Sequence, residues 1–197
     1  MKPKEHILEF VFDKVAKMGL KGVSMDLIAS ELKISKKSLY HYFDGKDDLI
    51  NSSVKYGCET ITSNIVKIAS SISNPLIATI FTAVDILMFR LRVSEKFIND
   101  TFASLSLGDY VVDTRNKINA IRKESVTKSV EQGYLISEKS VDDLIDFLKE
   151  RFYISDELKN RDKVTMQTAF NVVTENLMLI ATRKGKEIIL ELKENYS

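Results

Sequence analysis

Lys36, Lys37, Ser38, Tyr40 and His41 put two cations, a hydroxyl, an aromatic ring and an imidazole within six consecutive residues. No acid follows them until Asp44. Lysines can neutralise phosphates, and hydroxyl, phenol and imidazole groups can hydrogen-bond to base edges. Residues 33–46 hold Lys33, Lys36, Lys37 and Lys46 against Asp44 alone, although the whole chain has a net charge of only +1. There is no arginine before Arg90. Arginine is the commonest bidentate reader of guanine, so guanine readout by this stretch would fall to Lys36 or Lys37, with weaker geometric fixing. The plainer alternative is a solvated basic helix, but such a helix more often mixes acids with its lysines.

Two short helices must position these residues. Ser24 can cap the first by accepting an orphan backbone N–H, and Asp26 adds negative charge at its N-terminal end. Ile28, Ala29 and Leu32 recur at helical spacing. Lys33-Ile34-Ser35 interrupts the pattern. Ser35 is a second cap, and Leu39 and Phe43 begin a second apolar stripe that leaves the polar residues outside. Two helices of about two turns joined tightly make a helix-turn-helix, whose second helix enters the major groove. Isolated helices under ~12 residues are marginal in water, so both must lean on a support. Residues 5–18 supply it, with Ile7, Leu8, Val11, Val15 and Ala16 repeating at three and four. Gly19 is expected to end that helix.

Residues 7–50, ILEFVFDKVAKMGLKGVSMDLIASELKISKKSLYHYFDGKDDLI, resemble the N-terminal domain of the TetR family of bacterial transcriptional regulators. Ile7-Leu8, Ala16, Gly19, Val23-Ser24-Met25, Ile28-Ala29, Ile34-Ser35-Lys36, Leu39-Tyr40, Phe43, Lys46 and Leu49 carry the likeness without a gap. Three positions depart from it. Lys33 stands where the family has a turn glycine. Val15 replaces an aromatic. Tyr42 replaces the histidine before the phenylalanine, with His41 one place earlier. The resemblance implies an all-α chain with a DNA-binding head over residues 1–46 and a ligand-binding and dimerisation body over 47–197. It places Ser24, Met25, Ser35 and Lys46 beside the five residues above in a DNA interface, with Lys46 near a phosphate. It implies a homodimer, a palindromic operator and a small-molecule effector, with repression as the expected output.

The body reads as a series of helices. Asp44-Gly45-Lys46 is a turn, and a new helix opens at Asp47-Asp48 and runs to the serine-rich residues 70–74. Pro75 opens a helix that is apolar on most sides, with Asp85 among its apolar residues. A carboxylate buried without a partner is costly. Asp85 could mark a site for a cationic or hydrogen-bonding ligand, or be paired structurally with an arginine or a helix end. Phe81, Asp85, Met88, Phe89, Phe102 and Tyr110 are candidate pocket residues, and a plain core is the alternative. Ser94 should cap a helix reaching Leu105 and closing at Gly108. Residues 109–132, 137–152 and 186–196 should form further helices, with Arg183-Lys184-Gly185 as a turn. The segment 164–182 carries one charge, Glu175. Charge depletion is typical of an interface centre. Residues 140–153 and 161–182 are expected to pair in a twofold four-helix dimer contact, which the resemblance favours, with Leu144, Leu148, Phe152, Met166, Phe170, Val173 and Leu177 as candidate dimer residues; a helix central to its own subunit is the alternative.

Other chemistry finds little support. A single cysteine, Cys58, excludes an internal disulfide and a cysteine-cluster zinc site, and two histidines are too few for a histidine site. No metal or cofactor is expected. No nucleophile–base pair or glycine-rich phosphate loop is present, so an enzyme built around Asp85 is a weaker reading. A helical dimer that binds a protein partner and no DNA is another. The opening MKPKEH has no apolar run, and Pro75–Phe89 is too short and polar to span a bilayer. A cytoplasmic protein without membrane attachment is expected.

Overall fold

The computed structural model describes residues 3–154, 158 and 161–196, with the backbone alone for Pro3, 152–154 and Asp162. Among them are ten α-helices: α1 Pro3–Met18, α2 Met25–Leu32, α3 Lys36–Tyr42, α4 Lys46–Ser71, α5 Pro75–Arg92, α6 Glu95–Phe102, α7 Gly108–Glu131, α8 Val141–Ile154, α9 Met166–Met178 and α10 Arg183–Asn195. The chain is all-α, as its apolar periodicities predict. Packing divides it into two compact units, Met1–Thr62 with Arg92–Asn116, and Ser63–Leu91 with Lys117–Ser197.

The first unit is built on α1. Its apolar stripe is buried at Ile7, Val11, Val15 and Ala16. Gly19 follows the helix at φ 76, a left-handed conformation that glycine adopts without penalty, and its N–H donates to Val15 O. The freed chain end is then fastened to α6. Ser94 N donates to Ala16 O at 2.8 Å, and Leu20 N donates to Asp100 Oδ2 at 2.9 Å. Phe12 meets Phe97 edge-on at 5.9 Å. Arg92 pairs with Asp13 and lies over the Phe12 ring. Phe12 also lies directly on Gly57 of α4, where a Cβ would overlap its ring.

The α6 expectation fails at its C-terminal end. The helix stops at Phe102, Leu105 is fully exposed, and Gly108 opens α7 instead of closing α6. Ser104 and Ser106 hydrogen-bond to each other at 3.2 Å, and Ser104 N turns back to Thr101 O. Serines that bond locally offer the chain an alternative to helix.

In the second unit α5 and α7 run antiparallel. Asn74 Nδ2 donates to the Tyr134 hydroxyl at 3.4 Å, and Thr79 Oγ1 lies 3.3 Å from Ser129 Oγ, so the pairing steps forward on one helix and back on the other. At the core of this unit, α9 is buried at Ala169, Phe170, Val172, Val173, Thr174, Asn176 and Leu177, on nearly all its faces. That burial accounts for its lack of charge.

Two helix starts differ from the sequence reading. Helix α8 begins after Ser140 and not at residue 137, with the Ser140 hydroxyl accepting Asp143 N at 3.1 Å. Arg183-Lys184-Gly185 is not a turn. Thr182 Oγ1 accepts Gly185 N at 3.2 Å, making these three residues the first turn of α10. Gly185 lies directly against the Tyr134 carbonyl, a long-range contact with no signature in local sequence. No helix among the described residues is long and apolar enough to cross a membrane.

Gly57 gives a direct test of the α1–α4 packing. Alanine in a helix interior gains ~1 kcal/mol over glycine. Displacing the buried Phe12 ring costs about 1–3 kcal/mol. Gly57→Ala should therefore lower the denaturation midpoint, and a raised midpoint would contradict the close approach.

Candidate nucleic-acid interface

Helix α2 begins where Ser24 Oγ accepts Leu27 N at 3.2 Å, and buries Met25, Ile28 and Ala29. It ends on Lys33, at φ 54 and ψ 40, whose N–H and that of Ile34 turn back to Ser30 O and Ala29 O. The position occupied by Lys33 is thus left-handed, the conformation a turn glycine serves. Lysine adopts it at a cost of ~1 kcal/mol.

Helix α3 begins two residues later, with Ser35 Oγ accepting Ser38 N at 3.0 Å. Leu39 and Phe43 point inward at 0% and 2% exposure, which fixes the rotation of the helix. Lys36, Lys37, Tyr40 and His41 are consequently exposed, and Ser38 is half-buried. Tyr40 stands 56% exposed, an unusual position for a large aromatic ring. His41 packs edge-on to Tyr42 at 5.0 Å. The Ser38 hydroxyl is bonded to that of Ser35 at 2.8 Å.

The two lysines differ. Lys36 forms an ion pair with Asp26 from the first turn of α2, and the hydrogen bond to Asp26 raises its pKa. Lys37 is exposed on the free face of the same helix end. The sequence does not tell them apart, because the α2–α3 crossing that brings Asp26 to Lys36 is not visible in a linear pattern.

The turn after α3 ends as Asp44 N donates to Asp48 Oδ2 at 3.0 Å, and Lys46 is the first, exposed residue of α4. Met25 differs from the rest of the sequence-derived set. Its side chain is buried at 8% exposure in the head, so only its backbone at the α2 N-terminus faces outward.

Residues 15–52 match the model for bacterial regulatory proteins of the tetR family. That segment spans α2, α3 and the start of α4, so the helix-turn-helix is what this chain shares with the family. No curated protein sequence matches it. Solved structures share its fold along most of its length. The ketosteroid transcriptional regulator KstR2 of Mycobacterium tuberculosis superposes with a TM-score of 0.70 at 17% identity, over 92% of this chain and 96% of that one. The TetR family regulator PfmR from Thermus thermophilus gives 0.67 at 16%, over 87% and 97%. AibR, in a complex with isovaleryl coenzyme A and operator DNA, gives 0.64 at 19%, over 89% and 98%. The matching family is one of regulators, not of enzymes.

The remaining sequence-derived residues fall as follows. Phe81, Asp85, Met88 and Phe89 lie half-buried on α5 in the second unit. Phe102 and Tyr110 belong to the first. Phe102 is 43% exposed under the Arg115 guanidinium, and the Tyr110 hydroxyl donates to Glu59. Burial, then that bond, pushes the Tyr110 pKa up to about 12. Leu144, Leu148, Phe170, Val173 and Leu177 are all buried within their own chain. Met166 is exposed, and the Phe152 side chain lies outside the described residues.

Lys33→Gly should remove the left-handed penalty and raise stability by ~1 kcal/mol. Chemical denaturation of the full chain reads this, and a fall in midpoint would show that Lys33 makes a compensating contact.

Proposed function

We propose that this chain is a regulator of the TetR type, a ligand-responsive transcriptional repressor that works as a homodimer on a palindromic operator. The observation carrying the DNA assignment is the orientation of α3. Its apolar pair is buried, while Lys37, Tyr40 and His41 are exposed. In this reading Lys37, Tyr40 and His41 reach base edges in the major groove. Lys36, tethered to Asp26, meets a phosphate at the groove's edge, and Lys46 meets another from the start of α4. Ser24, Ser35 and Ser38 hold the two helix starts in register, and the exposed N–H groups of the first turns add phosphate donors.

Two heads related by a twofold axis would meet half-sites about one helical turn apart, ~34 Å, or a multiple of it. We divide the roles at Lys46, with residues 1–46 as head and 47–197 as body. An effector in the body would act by moving α4 and hence the spacing of the heads. It can do so only by binding one arrangement more tightly than the other. The complex of AibR with isovaleryl coenzyme A and operator DNA lends support, since it pairs a small molecule with an operator on this fold.

The test is fluorescence anisotropy with a duplex from upstream of the protein's own gene. Lys37→Ala with Tyr40→Ala should abolish specific binding by a correctly folded protein. Lys46→Ala should weaken binding to all sequences and reduce the slope of log K against log salt by about 1. Undiminished binding by the double variant would refute the assignment of α3. The body's second copy is tested separately by sedimentation, where a strictly monomeric protein would refute the homodimer.

A further inference from the structure

Helix α5 has two unlike sides. Thr82, Ala83, Val84 and Leu87 are buried, whereas Phe81, Asp85, Met88 and Phe89 are only half covered. The second set is spaced by four, three and one, which places it on one stripe. Phe81 heads that stripe and joins an aromatic wall, with Phe170 at 6.1 Å and Tyr196 at 5.6 Å, and Phe170 and Tyr196 stacked at 4.5 Å. Side chains of a helix lean toward its N-terminus, so the Asp85 carboxyl, one turn on, leans toward Phe81. All these residues lie in the second unit.

The carboxyl itself is out of place. Asp85 Oδ2 is buried and has no hydrogen-bond partner. Burial raises its pKa, and no charged group among the described residues contributes. The structural pairing that would explain such a residue is absent at that oxygen. Arg122 does not supply it. Its Nη2 donates to Asn119 at 2.7 Å, and its own Nε is also unpartnered. A buried acceptor left unsatisfied costs ~1–3 kcal/mol, more when charged. Natural chains keep such a group where something else satisfies it.

We infer that Asp85 is the anchor for an effector bearing a cationic amine on an apolar body, with the amine on Asp85 and the apolar part along Phe81, Met88 and Phe89. A bound amine would favour the ionised carboxyl, whereas an anionic acyl ligand would oppose it. This inference rests on the reading of the body as the effector-binding part. It goes beyond that reading by naming the effector's charge.

The experiment uses the full chain and three primary amines, octylamine, phenethylamine and 4-phenylbutylamine, each against the alcohol and the carboxylate of the same skeleton. Thermal melts and calorimetric titrations are run on wild type and on Asp85→Asn. At least one amine should raise the wild-type melting temperature, while its carboxylate partner should not. Asp85→Asn should weaken that amine about tenfold to a hundredfold. Without ligand, the variant should melt at the same temperature or higher, because no hydrogen bond of the buried oxygen is lost and the cost of ionising the carboxyl is removed. The inference is overturned if no amine stabilises the protein, if carboxylates do so equally, if the amine effect survives in Asp85→Asn, or if the unliganded variant melts lower. Binding of both proteins to the upstream duplex is measured in parallel. Its loss in wild type would refute the regulator reading, whereas its retention with no amine effect would refute the effector class alone.

Discussion

Two helices of eight and seven residues cannot hold their shape in water, and the head exists because something else holds it for them. Ile28, Leu39 and Phe43 are at most 2% exposed, and burying each such side chain is worth roughly 1.5–3 kcal/mol. That sum exceeds what a cap or an ion pair contributes in the same stretch. The caps at Ser24 and Ser35 add ~1 kcal/mol each and decide where the helices start. The buried residues decide which way they face. Once Leu39 and Phe43 are turned inward, Lys37, Tyr40 and His41 have nowhere to go but out. The candidate interface is therefore a consequence of core packing. The chain tolerates one strained residue, Lys33, at the corner between the helices.

The same logic runs through the rest of the first unit. Gly19 turns left-handed so that Leu20 N can reach Asp100, and Phe12 takes the space left by Gly57. These contacts join α1 to α6 and α4 by residues chosen for fit. In the second unit a charge-depleted helix, α9, is enclosed by its own chain. What packing does not account for there is the Asp85 carboxyl, and a buried acceptor without a partner is a stronger pointer to function than an apolar surface residue.

Much of this was legible in the residues. Ser24, Ser35 and Ser94 announce their helices because a hydroxyl before an apolar repeat has one efficient use. The turn at Lys33 was legible as a site where glycine is expected. What could not be read is what depends on distant partners. The Asp26–Lys36 pair, the seat of Gly185 on the Tyr134 carbonyl and the burial of Leu144 and Phe170 all join residues or elements whose crossing no periodicity encodes. Charge depletion in residues 164–182 was a true signal of burial, but burial against another subunit and against one's own chain leave the same trace in sequence. Helix ends failed where hydroxyls had two uses, since Ser104 can bond to its own loop as readily as a helix can continue.

The central claim is that α3 is a reading head displayed twice. Selection of bound duplexes from a random DNA pool by the full-length protein tests it most directly. A single sequence with twofold symmetry should be enriched, its half-sites centred about 10 base pairs, or a multiple of that, apart. A pool that stays random after repeated rounds, or that converges on a motif without symmetry, would contradict it.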